Sequence, residues 1–304
     1  MKVLVTGGAG FIGSHIVDEY IKNNHEVVIV DDMSHGSKIN VNKLAKFYNI
    51  DIRSEDLATI FEKEKFDIVN HHAAQISVPN SIEDPIEDAS INIMGTLNIL
   101  ECCRKFGVKK VIYPASAAIF GEPKYLPIDE EHPLNMQCGY GVTKHTVEHY
   151  LEVYNKLYGI NYTVFRYANV YGPRQDSKGE GGVIAIFSER FLKKEVPVIF
   201  GDGEQSRDFV YVKDVAKANL IALTELNNNI YNVSTNIEIS LNKLISVFNN
   251  LVNSSIKPIY KEERIGDIRN SFMIYDKIKN ECSWKPNYSL EEGLTETLRY
   301  YSEN

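Results

Sequence analysis

The sequence is poor in the features that mark several functional classes. It holds only four cysteines, Cys102, Cys103, Cys138 and Cys282, in 304 residues. They form no Cys-x-x-Cys pair, so we expect reduced thiols and neither a disulfide framework nor a metal site. Apolar runs stay below the roughly 20 residues that span a bilayer. We also expect no signal peptide, since Lys2 leads straight into an apolar strand. These absences predict a cytoplasmic protein without a membrane partner.

Positive charge is scarce as well. The chain has 33 lysines and arginines against 41 aspartates and glutamates, which gives a formal net charge of −8. A field of this sign does not favour a phosphate-coated polymer, so we expect no nucleic-acid partner. A small nucleotide ligand remains open, because a few arginines that converge locally are enough to bind phosphate.

A glycine-rich turn follows the first strand. Gly7, Gly10 and Gly13 come after a short apolar segment and open a helix, and a second strand, Val27–Val30, ends at Asp31. Glycine lets the backbone approach a pyrophosphate, and the helix N-terminus directs free N–H groups at the negative charge. Asp31 is placed to accept hydrogen bonds from the adenosine ribose, which favours NAD over NADP. This context predicts a dinucleotide-binding unit rather than a ligand-free tight turn.

Strands and helices alternate over the first half of the chain. The predicted strands are 46–50, 67–70, 110–113 and 162–166, and the predicted helices are 13–23, 54–63, 86–106 and 140–158. Such alternation predicts an α/β fold, a Rossmann-type doubly wound parallel sheet. After Arg166 the pattern changes to a polar loop (173–182), further helices (183–194, 213–226, 240–252 and 289–301) and short strands (208–212 and 231–233). We predict an NAD-binding domain over 1–168, with a return segment at about 208–233, and a smaller α/β lid domain over 169–304 that binds substrate.

Tyr140 and Lys144 are spaced four residues apart on a predicted helix, so their side chains share a face. The ammonium is expected to lower the tyrosine pKa by roughly 1–3 units, from about 10, towards a base that works at neutral pH. The spacing alone is common and also fits an accidental pair. Ser116 adds context, because it lies at the carboxyl end of a predicted central strand, twenty-four residues before Tyr140.

The ordered set of motifs resembles the extended short-chain dehydrogenases/reductases, in the branch of nucleotide-sugar epimerases and dehydratases. The motifs are Thr6–Gly13, the triad Ser116, Tyr140 and Lys144, and the segments 166–173, 201–210 and 264–267. The resemblance covers essentially the whole chain. It implies tightly bound NAD, a UDP-sugar substrate and a homodimer in which the long helices 86–106 and 140–158 pair with their mates.

The resemblance also implies roles for individual residues. Tyr140 would take the proton of a sugar hydroxyl, Ser116 would hydrogen-bond the same oxygen, and Lys144 would hold the nicotinamide ribose. The expected cofactor contacts are Gly7, Gly10, Phe11, Ile12, Gly13, Asp31, Asp32, Ser34, Asp51, Ile52, Ala73, Ala74, Gln75, Tyr140 and Lys144. The Asp51 carboxylate would accept from the adenine amino group, whereas Gln75 has no role that the residues explain. His71 and His72 are expected to be hydrogen-bonded rather than metal-bound, since no second ligand cluster accompanies them.

The expected substrate contacts are Ser116, Asn169, Val183, Val198, Phe200, Arg207, Arg264, Asp267 and Ser271. By resemblance, Asn169 and the two arginines bind the diphosphate, and the planar guanidinium forks match its oxygens. Asp267 would accept from the nucleoside ribose, and Val198 and Phe200 would sandwich uracil.

The position after Ser116 separates the reactions within this branch. Related 4,6-dehydratases carry an Asp-Glu pair there, whereas this chain has Ala117 and Ala118, which cannot transfer a proton. The simplest expectation is a 4-epimerase that acts on a UDP-hexose of the galactose/glucose type, in galactose metabolism. A UDP-uronate epimerase or decarboxylase and a net oxidoreductase stay as alternatives. Ser271 occupies a position at which a large aromatic residue narrows the sugar pocket in some members of the resembled branch. We therefore expect this chain to accept 2-acetamido sugars too.

Overall fold

The structure is a computed structural model that describes residues 1–177, 182–264 and 267–303. Residues 178–181 of the predicted polar loop, and Ile265 and Gly266 of the 264–267 motif, lie outside this range. The chain divides into two compact units. The first comprises Met1–Phe120, Leu134–Arg166 and Ala216–Tyr231, and the second comprises Gly121–Pro133, Tyr167–Val215 and Asn232–Asn304.

The strands are short and are spread along the whole described chain. They are β1 (Lys2–Thr6), β2 (Glu26–Asp31), β3 (Lys46–Asn49), β4 (Ile68–His71), β5 (Lys110–Ser116), β6 (Asn161–Tyr167), β7 (Asn169–Tyr171), β8 (Val198–Phe200), β9 (Ser206–Arg207), β10 (Phe209–Tyr211), β11 (Asn229–Val233), β12 (Ile239–Ser240), β13 (Ile259–Lys261) and β14 (Asn270–Ser271).

The helices alternate with these strands. They are α1 (Phe11–Lys22), α2 (Leu57–Glu64), α3 (Val78–Glu83), α4 (Pro85–Ala89), α5 (Thr96–Phe106), α6 (Gly139–Tyr158), α7 (Val183–Leu192), α8 (Val212–Ile221), α9 (Leu241–Leu251), α10 (Asp276–Cys282) and α11 (Leu290–Glu303). No helix in the described part of the chain combines the length and the apolar character needed to cross a lipid bilayer.

Among the described residues, seven strands form one sheet in the order β11-β6-β5-β4-β1-β2-β3. The ladders that join β1 to β2, β1 to β4, β2 to β3 and β4 to β5 are all parallel. Buried residues such as Leu4, Val28, Val69 and Val111 form its core. A parallel sheet covered on both faces needs near-continuous apolar strands, and β1 and β2 have them. The predicted fold class is confirmed.

Local signals in the sequence set several helix ends. Gly107 and Gly159 follow α5 and α6 in the left-handed region, with φ of 73° and 71°, as glycine C-caps do. A capping box opens α11, because the Glu292 N–H donates to Ser289 Oγ at 3.2 Å and the Ser289 N–H donates to Glu292 Oε2 at 2.8 Å.

Two predicted helices differ in detail. The segment 86–106 is interrupted by a π-helical turn at Ser90–Gly95, which separates α4 from α5. The helix predicted over 54–63 starts only at Leu57, as α2. Instead the Ser54 Oγ accepts from the Asp56 N–H at 3.2 Å in the turn before the helix. The π-helical turn arises because an extra residue shifts the backbone hydrogen bonds of the helix. The late start of α2 arises because the Ser54 side chain takes a backbone N–H for itself.

The second unit contains small sheets, β10-β7, β12-β9-β14 and β13-β8. Asp208, which is 1% exposed, ties their connections together. Its carboxylate accepts from the Thr235 N–H at 2.9 Å, the Thr235 hydroxyl at 2.6 Å and the Asn236 N–H at 3.0 Å. Burial nevertheless raises the pKa of Asp208 to about 6.

Candidate active site

The glycine turn between β1 and α1 leaves no room for side chains. Gly7 has a φ of 68°, and a Cβ there would lie 2.7 Å from the Ala73 nitrogen. A Cβ on Gly13 would lie 2.2 Å from the Gly7 carbonyl oxygen. Gly10 is the N-cap of α1 and offers no capping side chain to the first N–H groups. The turn therefore presents free backbone donors at a helix N-terminus, the setting in which proteins bind phosphate.

Asp31 supports this turn at the end of β2. The side chain is 6% exposed. Its Oδ2 accepts from the Ala9 N–H and its Oδ1 accepts from the Met33 N–H, each at 2.9 Å. Burial raises the pKa of Asp31, and these two hydrogen bonds oppose the rise. An ionised carboxylate has about four acceptor positions, so both oxygens retain the capacity to accept from ribose hydroxyls.

The predicted adenine side of the site is organised by an arginine that the sequence analysis did not single out. Arg53 Nη2 donates to Asp51 Oδ2 at 2.7 Å, and this hydrogen bond is the main cause of the lowered pKa of Asp51. Arg53 also pairs with Glu87 at 2.9 Å. Ile52 is 4% exposed and belongs to the core.

The other predicted cofactor residues differ in exposure. Asp32 and Ser34 are exposed and hydrogen-bonded to each other at 2.6 Å. Phe11, Ile12, Ala73 and Ala74 are half-buried. Gln75 is buried, and its amide is engaged with Ser77 and Asp88. The glycine cradle, the free N–H groups of α1 and the acid at the end of β2 fit a dinucleotide.

Ser116 and Tyr140 come together in the first unit. Ser116 is the last residue of β5, and its Oγ accepts from the Ala118 N–H at 3.2 Å. This leaves the hydroxyl hydrogen free to donate towards Tyr140, and Ser116 lowers the pKa of that phenol. Tyr140 is half-buried in the first turn of α6. Ala117 and Ala118 follow in a 3₁₀ turn and offer no titratable group.

Burial dominates the electrostatics of Tyr140 and Lys144. It raises the pKa of Tyr140 to about 12, although the Ser116 hydroxyl opposes the rise. It lowers the pKa of Lys144 to about 7, although Glu148 and Asp88 oppose the fall. The Lys144 Nζ lies 4.4 Å from the ring centroid of Tyr113. The expectation of a lowered tyrosine pKa is therefore wrong for the protein alone, because desolvation raises the pKa of Tyr140 more than the Ser116 hydroxyl lowers it.

The histidines at the end of β4 are neutral. Burial lowers the pKa of His71 and of His72 to about 3. His71 Nδ1 lies 2.7 Å from the Thr6 hydroxyl, and its Nε2 lies 2.9 Å from the Thr96 hydroxyl. Within the described ranges, no group of three or more His, Cys, Asp or Glu side chains is arranged to hold a metal ion.

The predicted substrate residues of the second unit fall into two groups. Val198 and Phe200 are the half-buried ends of β8 and share one face, since Ile199 between them is 1% exposed. The Arg264 guanidinium lies 3.9 Å from the Phe200 ring centroid. This stacking places a cation and a flat ring together, as recognition of a base and a phosphate requires.

The second group lies on β9 and β14. Arg207 pairs in register with Ser271 across the parallel β9–β14 ladder. Burial lowers the pKa of Arg207, while the charges of Asp267 and Glu122 oppose this. Of the remaining predicted residues, Asn169 is exposed at the start of β7 and Val183 is half-buried at the start of α7.

The chain has clear similarity to known proteins. Residues 3–234 match the profile of the NAD-dependent epimerase/dehydratase family. A putative UDP-glucose 4-epimerase of Methanocaldococcus jannaschii is 48% identical over 99% of this chain and 99% of its own length.

Two solved structures are also similar. The Thermotoga maritima UDP-glucose 4-epimerase with UDP-glucose has a TM-score of 0.97 and 45% identity, and the match covers 100% of this chain and 99% of that one. The Methanobrevibacter ruminantium UDP-N-acetylglucosamine 4-epimerase, in complex with UDP-N-acetylmuramic acid, has a TM-score of 0.95 and 37% identity over 99% and 98% of the two chains. The chain belongs to the NAD-dependent epimerase/dehydratase family.

Proposed function

We propose that the protein is a 4-epimerase that interconverts UDP-glucose and UDP-galactose with tightly bound NAD. The observation that carries the proposal is the placement of Ser116 near Tyr140, where it lowers the pKa of the phenol, with two alanines and no acid–base pair directly after Ser116. One base and one hydride acceptor are enough for inversion at C4, whereas elimination of water needs further proton-transferring groups. The M. jannaschii and T. maritima relatives bear the name of this activity.

In the proposed reaction Tyr140 takes the proton of the sugar 4-hydroxyl, and Ser116 donates a hydrogen bond to the same oxygen. NAD held by the glycine turn and Asp31 would supply the acceptor and donor of the C4 hydride, and its oxidised form would add a positive charge that favours the phenolate. Lys144 adds a second positive charge next to Tyr140 on α6. The 4-keto sugar rotates in the pocket and presents its other face before the hydride returns. Tyr140 then returns the proton to the oxygen at C4, which gives the other epimer. No net oxidation results.

The second unit supplies the proposed nucleotide contacts. Asn169, Arg207 and Arg264 bind the diphosphate. The uracil lies between Val198 and Phe200, and Asp267 accepts a hydrogen bond from the ribose. Val183 is a further contact at the start of α7. These contacts hold the nucleotide while leaving the hexose free to turn, which epimerisation requires.

Conversion of UDP-galactose to UDP-glucose by the purified protein tests this function. The alternatives give different products: a uronate decarboxylase releases CO₂ from a UDP-uronate, and a net oxidoreductase accumulates NADH with consumption of substrate. A protein that shows either of these and leaves UDP-galactose unchanged is not the proposed enzyme.

Ser271 is proposed to widen the sugar pocket for 2-acetamido sugars. Its small side chain lies opposite Arg207 in the β9–β14 ladder. The M. ruminantium relative is named for a substrate of this class. We expect S271Y to lower kcat/KM for UDP-N-acetylgalactosamine by about 10²-fold or more, with UDP-galactose turnover nearly unchanged, since steric discrimination is worth about 1–3 kcal/mol or somewhat more. S271A is the matched control and keeps both activities. Equal losses on both sugars in S271Y would contradict this role.

We also propose a homodimer in the cytoplasm. Val142, Val153 and Leu157 are 47%, 45% and 65% exposed and share one face of α6. Such a stripe on a long helix is typical of an interface.

Sedimentation velocity is expected to give twice the chain mass for the wild type and for I237E, which changes an exposed residue elsewhere. L157E is expected to give monomers, and a monomeric wild type would contradict the assembly. The low cysteine content, without a Cys-x-x-Cys pair, supports a reducing compartment.

A further inference from the structure

A buried carboxylate with no part in the proposed reaction lies in the first unit. Asp88, in α4, is 1% exposed. Its Oδ1 accepts from Gln75 Nε2 at 2.8 Å and from Asn92 Nδ2 at 3.0 Å, and its Oδ2 accepts from Thr143 Oγ1 at 2.9 Å. All three donors are neutral. Hydrogen bonds rather than an ion pair therefore compensate for the lost hydration of this charge in the described chain.

This hydrogen-bond network reaches the helix that carries the catalytic residues. Thr143 lies between Tyr140 and Lys144 in α6, and its hydroxyl is also 3.1 Å from the Tyr140 carbonyl oxygen. On the other side, Asn92 Oδ1 accepts from the Gln75 N–H at 2.9 Å, and its Nδ2 lies 3.2 Å from the Gln75 carbonyl. Gln75, whose role the sequence did not explain, thus joins the end of β4 to the start of α6.

The other acidic neighbour of Lys144 is ion-paired, although its charge still raises the pKa of Lys144 more than that of Asp88 does. Glu148 pairs with Arg166 at 2.9 Å and with His145 at 2.9 Å. Among the described residues, the hydrogen bonds that Asp88 accepts come from neutral side chains, and its charge acts on Lys144 as that of Glu148 does. The remaining titratable groups around Tyr140 and Lys144 are His71, His72, Tyr113 and Cys138. Both histidines are neutral at physiological pH.

We propose that Asp88 is a positioning residue for the reaction: through Thr143 it fixes the first turn of α6 between Tyr140 and Lys144, and its carboxylate supplies, with Glu148, the negative charge that acts on Lys144. The same charge disfavours the Tyr140 phenolate. Loss of the charge therefore lowers the pKa of the lysine and that of the tyrosine together, and the pH range of activity moves to lower pH.

The substitution D88N separates the charge from the shape. The new amide can still accept from Gln75 or Asn92, and it can donate to Thr143 if that hydroxyl turns to the Tyr140 carbonyl. Its matched control is E83Q, which removes one negative charge from an exposed position in α3.

The first measurement follows Lys144 itself and needs no sugar substrate. Protein labelled with ¹³C-lysine is titrated by NMR as purified, and K144M assigns the signal. We expect D88N to lower the pKa of Lys144 by about one unit or more and E83Q to leave it unchanged. An unchanged Lys144 pKa in D88N would overturn the proposal.

The second measurement rests on the proposed function and records kcat/KM for UDP-galactose against pH. Both limbs of the profile are expected to move to lower pH in D88N and to stay in place in E83Q. A uniform loss of activity with unmoved limbs would mean that Asp88 serves packing alone. If UDP-galactose is not turned over, the proposed function fails, whereas the Lys144 titration still decides the role of Asp88.

A charge-retaining variant keeps the test decisive if D88N does not fold. D88E lengthens the side chain but keeps the carboxylate, so the Lys144 pKa is expected to match the wild type even where the melting temperature falls. A Lys144 pKa lowered in D88E would contradict the electrostatic role.

Discussion

Replacement of Tyr140 by phenylalanine is expected to lower kcat for UDP-galactose by about 10³-fold with little change in KM, because general acid–base catalysis contributes roughly 10²–10⁴-fold. The substitution keeps the ring in the first turn of α6 and removes only the phenol oxygen, whose pKa Ser116 lowers. Binding of the nucleotide, proposed to rest on the second unit, is left intact. Initial rates over a range of substrate concentrations separate the two parameters.

Y158F is the matched control for this experiment. Tyr158 is the last residue of the same helix and is 49% exposed. Loss of its hydroxyl is expected to leave kcat unchanged. If Y140F kept its rate to within about tenfold of the wild type, the tyrosine would not be the base, since that loss is below the usual contribution of one.

The second large effect is expected from Gly7. In G7A the new methyl group would lie 2.7 Å from the Ala73 nitrogen and 2.8 Å from the His72 carbonyl carbon, both of which are backbone atoms. A φ of 68° adds strain for any residue with a Cβ. We expect the free energy of unfolding to fall by about 3 kcal/mol or more, as for other steric and backbone conflicts in a core. We also expect the protein to purify without NAD.

The control for G7A is G107A, because Gly107 has nearly the same φ, 73°, but nothing within 4 Å of its Cβ position. It isolates the backbone strain, so the expected loss is about 1–2 kcal/mol with full NAD content. Thermal unfolding measures the stability of both variants, and chromatography of the denatured protein measures the bound nucleotide. Normal NAD content in G7A would contradict the assignment of this turn to the cofactor.

Local patterns in the sequence were sufficient to predict the sheet and the glycine turn. The segment from Gly7 to Asp31 is a local motif: its residues lie within one strand–helix–strand unit, so their contacts can be predicted without knowledge of the rest of the fold. Gly107 and Gly159 end their helices through their own backbone conformations. The strands β8 and β13 have three residues each, which is too short for a period to appear, and they exist because they pair with each other.

The electrostatics of the site depended on contacts that the sequence does not reveal. Spacing placed Tyr140 and Lys144 on one face, but the depth of their burial, which reverses the expected tyrosine pKa, depends on tertiary packing. Asp88 accepts hydrogen bonds from Gln75, thirteen residues before it in the sequence, and from Thr143 in α6. These contacts form only in the folded chain. The π-helical turn at Ser90–Gly95, which brings Asn92 into this network, has no sequence signal that we recognised.

The central claim, epimerisation with resident NAD and hydride return to the same carbon, is tested most directly with UDP-[4-²H]galactose. The purified protein is incubated with this substrate without added NAD, and the products are followed by NMR. The account predicts UDP-glucose that retains deuterium at C4, with no accumulation of NADH. Failure to form UDP-glucose, or UDP-glucose that has lost the deuterium to solvent, would contradict it.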